Sequence, residues 1–340
     1  MKEALLYEKL EGGKVHCFLC QHHCRISSGK RGICGVRENK EGTLYTLVYD
    51  HVISCAVDPI EKKPLFNFLP GSKSYSIATV GCNFKCLHCQ NYDISQMPAE
   101  KGGVIMGSRI SPEEIVADAK AHHCATIAYT YTEPTIFFEL ARDTGQLAKS
   151  EGIKNIFVSN GYMTEEMLQM SSDWLDGINI DLKGFTEEHY KKICGAKLGP
   201  VLDSLRMIKK MGIWLEVTTL VIPGYNDSDE SFENIADFIK NELGAETPWH
   251  VTAFYPTYKL LDVPRTPVET LGKARDIGLN HGLKYVYEGN IPGEGGENTI
   301  CYNCGELLIE RYGYMIRKNS ITSSACPECG AHIDGYGLMS

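Results

Sequence analysis

Two patterns of hydrophobic and polar positions alternate between residues 75 and 290. Short runs rich in β-branched and aromatic residues are separated by stretches with helical periodicity, an order typical of βα units around a parallel sheet. The pattern predicts strands at residues 75–80, 126–131, 155–159, 177–181, 214–220, 250–254 and 284–287. These repeats fit an α/β fold with a full or partial (β/α) barrel. A doubly wound open sheet remains the alternative, because periodicity does not reveal closure.

Two of the predicted helices have clear start signals. Ser111 precedes Pro112 and Glu114, which places a capping hydroxyl, a proline and an acid where a capping box needs them. Thr266 followed by Pro267 repeats this arrangement. We therefore expect Ser111 and Thr266 to cap helices.

Polar clusters directly follow several predicted strands, which favours the barrel, because barrel chemistry gathers at the C-terminal ends of strands. A small appendage that contains cysteines lies on either side of this core, and residues 289–296 are linker-like. We predict three parts: an N-terminal cysteine-containing module at residues 1–70, the barrel core at 71–293 and a C-terminal zinc-ribbon-like module at 294–340.

Composition and charge exclude several classes of protein. The 340 residues are 43% hydrophobic, which is too apolar for a disordered chain. The formal net charge of −9 argues against tight nonspecific binding to nucleic acid or to an anionic membrane. No apolar run reaches the roughly 18–20 residues of a membrane helix, and the charged first residues are unlike a secretion signal. We expect a cytoplasmic protein that does not bind membranes.

Fourteen cysteines in a chain expected to meet a reducing cytosol indicate metal or redox chemistry rather than disulfides. Eleven of them form three clusters along the chain. The isolated Cys55, Cys124 and Cys194 are expected to be small buried hydrophobic residues.

The central cluster directly follows the first predicted strand. Cys82, Cys86 and Cys89 have the spacing Cys-x3-Cys-x2-Cys, and each thiolate can bind one iron of a cubane cluster. This loop has no fourth cysteine, so one iron keeps an open coordination site, as a catalytic centre requires. Three structural cysteines, or a zinc site completed from elsewhere, are the alternatives.

This loop after the first strand of a β/α barrel resembles that of radical S-adenosylmethionine (SAM) enzymes, and the resemblance covers roughly residues 75–290. Within them the chain is similar to the pyruvate formate-lyase activating enzyme branch. With both appendages included, it is most like the radical SAM member of the AmmeMemoRadiSam system. The resemblance implies an oxidoreductase in which SAM binds the open iron of a [4Fe–4S] cluster. Cleavage then gives methionine and a 5′-deoxyadenosyl radical that abstracts hydrogen from a substrate.

The resemblance also implies cofactor-binding residues near the cysteine loop. Phe84 and His88 match the aromatic residues that such loops place near the cluster and adenine. Glu133 and Pro134 match the end of a Gly-Gly-Glu-Pro segment that binds the SAM amino group, although the glycines are absent here. The alternative for Glu133 is an acid at a helix N-terminus.

Two later strand ends match the family as well. Ser159 and Asn160 resemble part of a Thr-Asn-Gly segment, and Val158 stands where the activating enzymes place an Asp at a cation site. Asp181 and Lys183 match an Asp-Leu-Lys segment that faces the SAM pocket. An ordinary ion pair between them is the alternative, because residues two apart in a strand share one face.

The C-terminal cluster consists of two Cys-x2-Cys-Gly knuckles. This spacing of four thiolates predicts a closed tetrahedral site for structural zinc, with rubredoxin-like iron as the alternative. The ligands are Cys301, Cys304, Cys326 and Cys329.

The N-terminal cluster has a less specific spacing. It predicts a structural metal, either zinc or a second iron–sulfur cluster, with His22 or His23 as substitute ligands. Thiol exchange without a metal is the alternative. The cysteines are Cys17, Cys20, Cys24 and Cys34.

The sequence therefore predicts a radical SAM enzyme with a [4Fe–4S] cluster, SAM and Zn²⁺. It does not identify the substrate of this enzyme. An external electron donor such as flavodoxin or ferredoxin is expected. Partner proteins could be Memo-like or a glycyl radical enzyme. Three alternatives remain: a glycyl-radical-enzyme activase, an RNA- or nucleotide-modifying radical SAM enzyme, and a non-catalytic iron–sulfur electron carrier or scaffold. Binding to nucleic acid is not expected, given the net charge of −9.

Overall fold

A computed structural model describes residues 1–338 of the chain. The first part is built from short antiparallel strands in two three-stranded sheets, β1-β6-β5 and β2-β3-β4. Its strands are β1 (Lys2–Glu3), β2 (Tyr7–Lys9), β3 (Val15–Cys17), β4 (Cys24–Ile26), β5 (Arg37–Lys40), β6 (Thr43–Thr46) and β7 (His51–Val52).

The core is a single eight-stranded sheet. Strands from residue 54 to 289 are β8 (Ser54–Pro59), β9 (Lys73–Ala78), β10 (Ser108–Arg109), β11 (Thr126–Tyr129), β12 (Lys154–Ser159), β13 (Gly177–Asp181), β14 (Trp214–Val221), β15 (Trp249–Ala253) and β16 (Val286–Gly289). The sheet order is β16-β15-β14-β13-β12-β11-β9-β8, while β10 pairs with β7. All seven predicted strands are present, and they form the parallel part of the sheet.

Helices follow most of the parallel strands. They are α1 (Tyr92–Ser95), α2 (Met97–Glu100), α3 (Pro112–Ala121), α4 (Phe138–Ser150), α5 (Glu165–Gln169), α6 (Glu187–His189), α7 (Gly199–Lys210), α8 (Asp229–Phe238) and α9 (Val268–Asn280). Two π-helical segments, Tyr190–Cys194 and Ile239–Leu243, extend α6 and α8. Within residues 1–338, no helix has the length and apolar character needed to cross a membrane.

The parallel strands follow one another in chain order without the reversal of a doubly wound sheet, and the sheet ends at β16 on one side and at β8 on the other, so the barrel is partial. This confirms the predicted α/β barrel class in its partial form. The sequence did not predict β8, which pairs antiparallel with β9 from Ser54 opposite Ala78 to Pro59 opposite Lys73. The predicted domain divisions at residues 70 and 293 stay a prediction, and β8 lies in the core sheet although its residues fall within the predicted N-terminal module.

One predicted helix cap is confirmed and the other is wrong. The Ser111 hydroxyl accepts the Glu114 amide, and the Glu114 carboxylate accepts the Ser111 amide, which completes a capping box. By contrast α9 begins at Val268 with no side-chain cap. The Thr266 hydroxyl instead donates to the Val221 carbonyl at 2.6 Å and accepts the Phe254 amide at 2.7 Å, so it joins the ends of β14 and β15.

The last part of the chain forms a three-stranded sheet of β17 (Thr299–Ile300), β18 (Leu307–Tyr312) and β19 (Met315–Asn319). It packs on the segment that follows β8. Arg311 is buried and donates to the Phe66 carbonyl at 2.8 Å, and Tyr287 on β16 donates to Asn67 at 2.6 Å. Residues 66–67 therefore lie between the C-terminal sheet and the barrel.

A buried ion pair joins the N-terminal sheets to the core. Arg37 and Glu139 are each 1% exposed and form a salt bridge. Arg37 also donates to the Leu5 carbonyl at 2.9 Å, and Glu139 accepts the Leu5 amide at 2.7 Å. Burial alone would lower the pKa of Arg37, but the Glu139 carboxylate raises it. The two side chains therefore form a buried salt bridge that also binds the Leu5 backbone.

We expect Glu139→Ala to lower the free energy of unfolding by about 3–5 kcal/mol, because it leaves the Arg37 charge buried without a partner. Urea unfolding followed by circular dichroism measures this change. Glu151→Ala is the matched control, because it breaks an exposed pair with Lys120 that is worth less than about 1 kcal/mol. Equal effects of the two substitutions would contradict the assignment.

Candidate functional site

The loop between β9 and α1 carries the three central cysteines and is fixed from behind by backbone hydrogen bonds. The Lys85 amide donates to the Cys194 carbonyl and the Leu87 amide donates to the Ile193 carbonyl, both at 2.9 Å. Both acceptors belong to the π-helical segment that follows α6. The Gln96 side chain also donates to the Phe84 carbonyl at 3.1 Å. These bonds hold a segment that has no strand or helix of its own.

One cavity of about 460 Å³ opens in front of this loop, within the size range of small-molecule sites. Its walls include all the cofactor-binding and cluster residues predicted at this site. They are Cys82, Phe84, Cys86, His88, Cys89, Glu133, Ser159, Asn160, Asp181 and Lys183. The fold therefore brings together residues from four different strand ends.

The spacing of Cys82, Cys86 and Cys89 fits a cluster better than a single ion. Ligand atoms of one zinc ion lie close together around it. In residues 1–338, the only group of three or more such donor atoms within 4.8 Å of one another is at the C-terminal cysteines. The loop thiols are therefore more widely spaced than zinc ligands, as separate irons of one cluster require.

His88 is buried in the cavity wall without a protein partner. Its side chain is 3% exposed, and neither ring nitrogen has a hydrogen bond within the described part of the chain. Burial lowers the pKa of His88, and the Lys183 ammonium lowers it further, so the ring is neutral. A buried polar group without a partner is rare and marks a place where a ligand can complete the hydrogen bonding.

Glu133 organises the second and third strand ends. One carboxylate oxygen accepts the Thr135 amide at 3.0 Å, the Thr135 hydroxyl at 2.6 Å and the Ser159 hydroxyl at 2.7 Å. The other accepts only the Asn160 amide, at 2.9 Å. Burial raises the pKa of Glu133, whereas these donors lower it. The less occupied oxygen has capacity for one further donor.

Asn160 connects that strand end to the cysteine loop. Its side-chain Nδ2 donates to the Asn83 side-chain oxygen at 2.7 Å, and the Cys82 sulfur lies 3.9 Å from the same nitrogen. Asn160 therefore contacts the first cysteine of the loop from the third strand.

Asp181 and Lys183 form an ion pair with a distance of 2.9 Å between carboxylate and ammonium. Burial alone would lower the pKa of Lys183, but the negative charges of Asp181 and the Cys86 thiolate raise it, so the side chain is protonated. Both residues also line the cavity. Asp181 and Lys183 therefore form an ion pair with each other and also face the cavity.

The sequence did not identify a second polar group in the same cavity. Lys63 is 1% exposed, and its ammonium lies 2.7 Å from an Asp58 carboxylate oxygen that also accepts the Tyr131 hydroxyl. Burial lowers the pKa of Lys63 to about 8, although Asp58 opposes this shift. These residues precede or follow the predicted strand ends without a recognisable motif, so no local signal pointed to them.

The isolated cysteines only partly match the prediction. Cys124 and Cys194 are buried, whereas Cys55 is exposed. Cys194 lies near Cys86, and the interaction with the Cys194 thiol lowers the pKa of Cys86. A fourth thiol thus adjoins the loop from the back, a neighbour that sequence spacing could not reveal.

His250, which follows the start of β15, is a core residue. Its Nε2 lies 2.7 Å from the Glu216 carboxylate, and its ring packs edge-on against Phe66 at 4.8 Å. It is absent from the cavity wall. His250 is therefore a satisfied core histidine rather than an acid or base of the cavity.

The two remaining cysteine clusters lie apart from this cavity. The C-terminal sulfurs gather within 4.8 Å, with Cys301 and Cys329 3.7 Å apart and Cys304 and Cys326 also 3.7 Å apart. This arrangement suits one tetrahedral metal ion. The N-terminal cysteines surround a separate cavity, and they are Cys17, Cys20, Cys24 and Cys34.

Comparisons with known proteins agree with this site. Residues 76–239 match the Radical SAM superfamily. An uncharacterized protein of Methanocaldococcus jannaschii is 49% identical over 336 residues, which cover 98% of this chain and 99% of the relative. Pyruvate formate-lyase 1-activating enzyme of Escherichia coli K12 is 21% identical over 61% of this chain and 89% of its own length.

Among solved structures, a radical SAM methyltransferase from Sphaerobacter thermophilus has the same fold, with a TM-score of 0.51 and 14% identity. The match covers 66% of this chain and 68% of that chain. Together with the cysteine loop at the end of the first parallel strand, these similarities show that the chain belongs to the Radical SAM superfamily.

Proposed function

We propose that this protein reductively cleaves S-adenosylmethionine at a [4Fe–4S] cluster and uses the resulting radical to take hydrogen from an unassigned substrate. The observation that carries the proposal is the single cavity lined by three cysteines, a buried histidine without a partner and two charged strand ends. When bound, the reduced cluster would supply the electron that splits S-adenosylmethionine into methionine and a 5′-deoxyadenosyl radical.

In this proposal Cys82, Cys86 and Cys89 hold three irons and leave the fourth open to the amino and carboxylate groups of SAM. Glu133 would accept an N–H of the SAM amino group through the carboxylate oxygen that has only one protein donor. Lys183 and Asp181 line the cavity as an ion pair. They present one positive and one negative group, which complement a zwitterionic ligand.

The remaining cavity residues orient the ligand and exclude water. Phe84 is 1% exposed and presents an apolar face next to the cysteines. Ser159 and Asn160 fix Glu133 and the loop, and His88 offers its unpartnered ring nitrogens to the bound nucleoside. We expect the neutral His88 ring to bond a ligand that brings a donor or an acceptor.

Cys86→Ala is expected to abolish 5′-deoxyadenosine formation, because one iron loses its thiolate. The assay uses protein reconstituted anaerobically with iron and sulfide, reduced with dithionite and given SAM. Cys124→Ala is the matched control, because it also removes a buried thiol, but one outside the cavity wall. SAM cleavage by the Cys86→Ala protein at the wild-type rate would overturn the proposed function.

His88→Leu is expected to weaken SAM binding about tenfold, the equivalent of about one hydrogen bond, without loss of thermal stability. The stability is kept because the histidine has no protein partner to lose. SAM titration and thermal unfolding measure the two effects. His250→Leu is the control: this histidine bonds to Glu216, so the variant should lose stability and keep SAM affinity. The reverse pattern would contradict the assignment.

We propose Zn²⁺ for the C-terminal site, because four thiols close together form a complete tetrahedral set with no open position. Cys304→Ser is expected to lose the bound zinc and to lower the unfolding temperature, since metal binding contributes to folding. Zinc content by mass spectrometry and thermal unfolding check this. Cys55→Ser, which changes an exposed cysteine outside the cluster, is the control. Unchanged zinc in Cys304→Ser would contradict the proposal.

The substrate is open between two classes. Similarity to pyruvate formate-lyase activating enzymes over 61% of the chain favours activation of a glycyl radical enzyme as the second candidate. Membership of the AmmeMemoRadiSam system, with a Memo-like partner, stays a prediction, as does flavodoxin or ferredoxin as electron donor. We expect the enzyme to work in the cytoplasm, because none of its fourteen cysteines forms a disulfide. RNA modification has no supporting feature.

A further inference from the structure

The four N-terminal cysteines converge on one cavity although they come from separate segments. Cys17 ends β3, Cys20 lies in the turn that follows, Cys24 begins β4, and Cys34 lies in the loop before β5. All four cysteines line this cavity, together with Arg37 and His22. The fold thus produces a four-thiol pocket from residues that the sequence spreads over two strands and a loop.

The spacing of these sulfurs is too wide for a single ion. No three of the four lie within 4.8 Å of one another, whereas the four C-terminal sulfurs do. The C-terminal sulfurs are therefore as close together as the ligands of one zinc ion, whereas the N-terminal sulfurs are farther apart. Four thiolates at this wider spacing match a cubane cluster in which each iron has its own cysteine.

We propose that the N-terminal cavity binds a second [4Fe–4S] cluster, with all four irons coordinated by the protein. Its ligands are Cys17, Cys20, Cys24 and Cys34. The fully ligated cluster has no open iron, so it does not bind SAM, and its presence does not depend on the proposed reaction at the first cluster.

The charges around the cavity support this proposal. A cluster with four thiolates carries net negative charge, and such a charge needs a cation when it is buried. Arg37 lines the cavity and lies 3.5 Å from the Cys17 sulfur. Its Nε has no hydrogen-bond partner within residues 1–338, although the side chain is buried. A cluster here would give this N–H group an acceptor.

Histidine is not needed as a substitute ligand. His22 also lines the cavity, but its Nε2 lies 2.7 Å from the Asn83 carbonyl oxygen, so this nitrogen donates to the loop. His23 is outside the cavity wall, and its Nδ1 lies 3.3 Å from a His16 nitrogen. The four cysteines are therefore the complete ligand set.

The second cluster would lie directly behind the loop of the first. Gly81, which precedes Cys82, has φ +101°, and a Cβ atom there would lie 3.0 Å from the Cys34 carbonyl oxygen and 2.6 Å from a Val36 methyl carbon. Only glycine permits so close an approach of the N-terminal segment to the loop. Together with the bond from His22 to Asn83, this contact places the two cysteine groups back to back.

The decisive experiment compares three full-length proteins reconstituted anaerobically with ⁵⁷Fe and sulfide. They are the wild type, a loop variant with Cys82, Cys86 and Cys89 changed to Ala, and an N-terminal variant with Cys20 and Cys24 changed to Ala. Each variant should keep about half of the wild-type iron and acid-labile sulfide, since each keeps one cubane. The reduced loop variant should give a cluster EPR spectrum that SAM leaves unchanged, whereas the N-terminal variant should respond to SAM.

A loop variant without acid-labile sulfide would overturn the proposal, as would zinc that is lost only from the N-terminal variant. If circular dichroism shows that a variant has not folded, the wild type alone tests the proposal. The wild type should then bind about eight iron and eight sulfide ions per chain, and about four of each counts against a second cluster. The SAM cleavage assay on the wild type reports separately on the proposed function, so that either idea can fail alone.

Discussion

The loop that carries Cys82, Cys86 and Cys89 has to be held in one shape by the rest of the protein, because it forms no strand or helix itself. Buried backbone N–H and C=O groups need partners, and this loop finds them in distant segments. Carbonyls of the π-helical segment Tyr190–Cys194 accept from the back of the loop, and the N-terminal module contacts its first residues. The position of the three thiols thus depends on packing between parts far apart in sequence.

The same requirement explains which buried polar groups are structural and which are available for function. Arg37 and Glu139 pair with each other, and Glu133 accepts four hydrogen bonds. His88 differs, because it is buried and has no partner in the described residues. Both ring nitrogens of His88 are unpartnered and the side chain lines the cavity, so a ligand there can complete its hydrogen bonding.

Because the barrel is open, segments outside it form part of the cavity wall. Because the sheet ends at β8 and β16 without closing, the segment after β8 and the C-terminal sheet contribute to the cavity wall. Lys63 comes from the first of these and Tyr314 from the second. The reactive end near the cysteines is thus built by the common barrel. The far end is built by segments outside the seven predicted strands.

The sequence alone determined whatever depends on residues close together in the chain: the seven parallel strands, the capping box at Ser111, the three-cysteine loop and the two C-terminal knuckles. Local periodicity and spacing fix these features, since a loop or a strand sets the distance between its own neighbours. Only the tertiary structure decided the place of β8, the burial of Lys63 and the contact of Cys194 with Cys86. It also separated the close C-terminal thiols from the wider N-terminal set, because the distance between segments remote in sequence is set by packing.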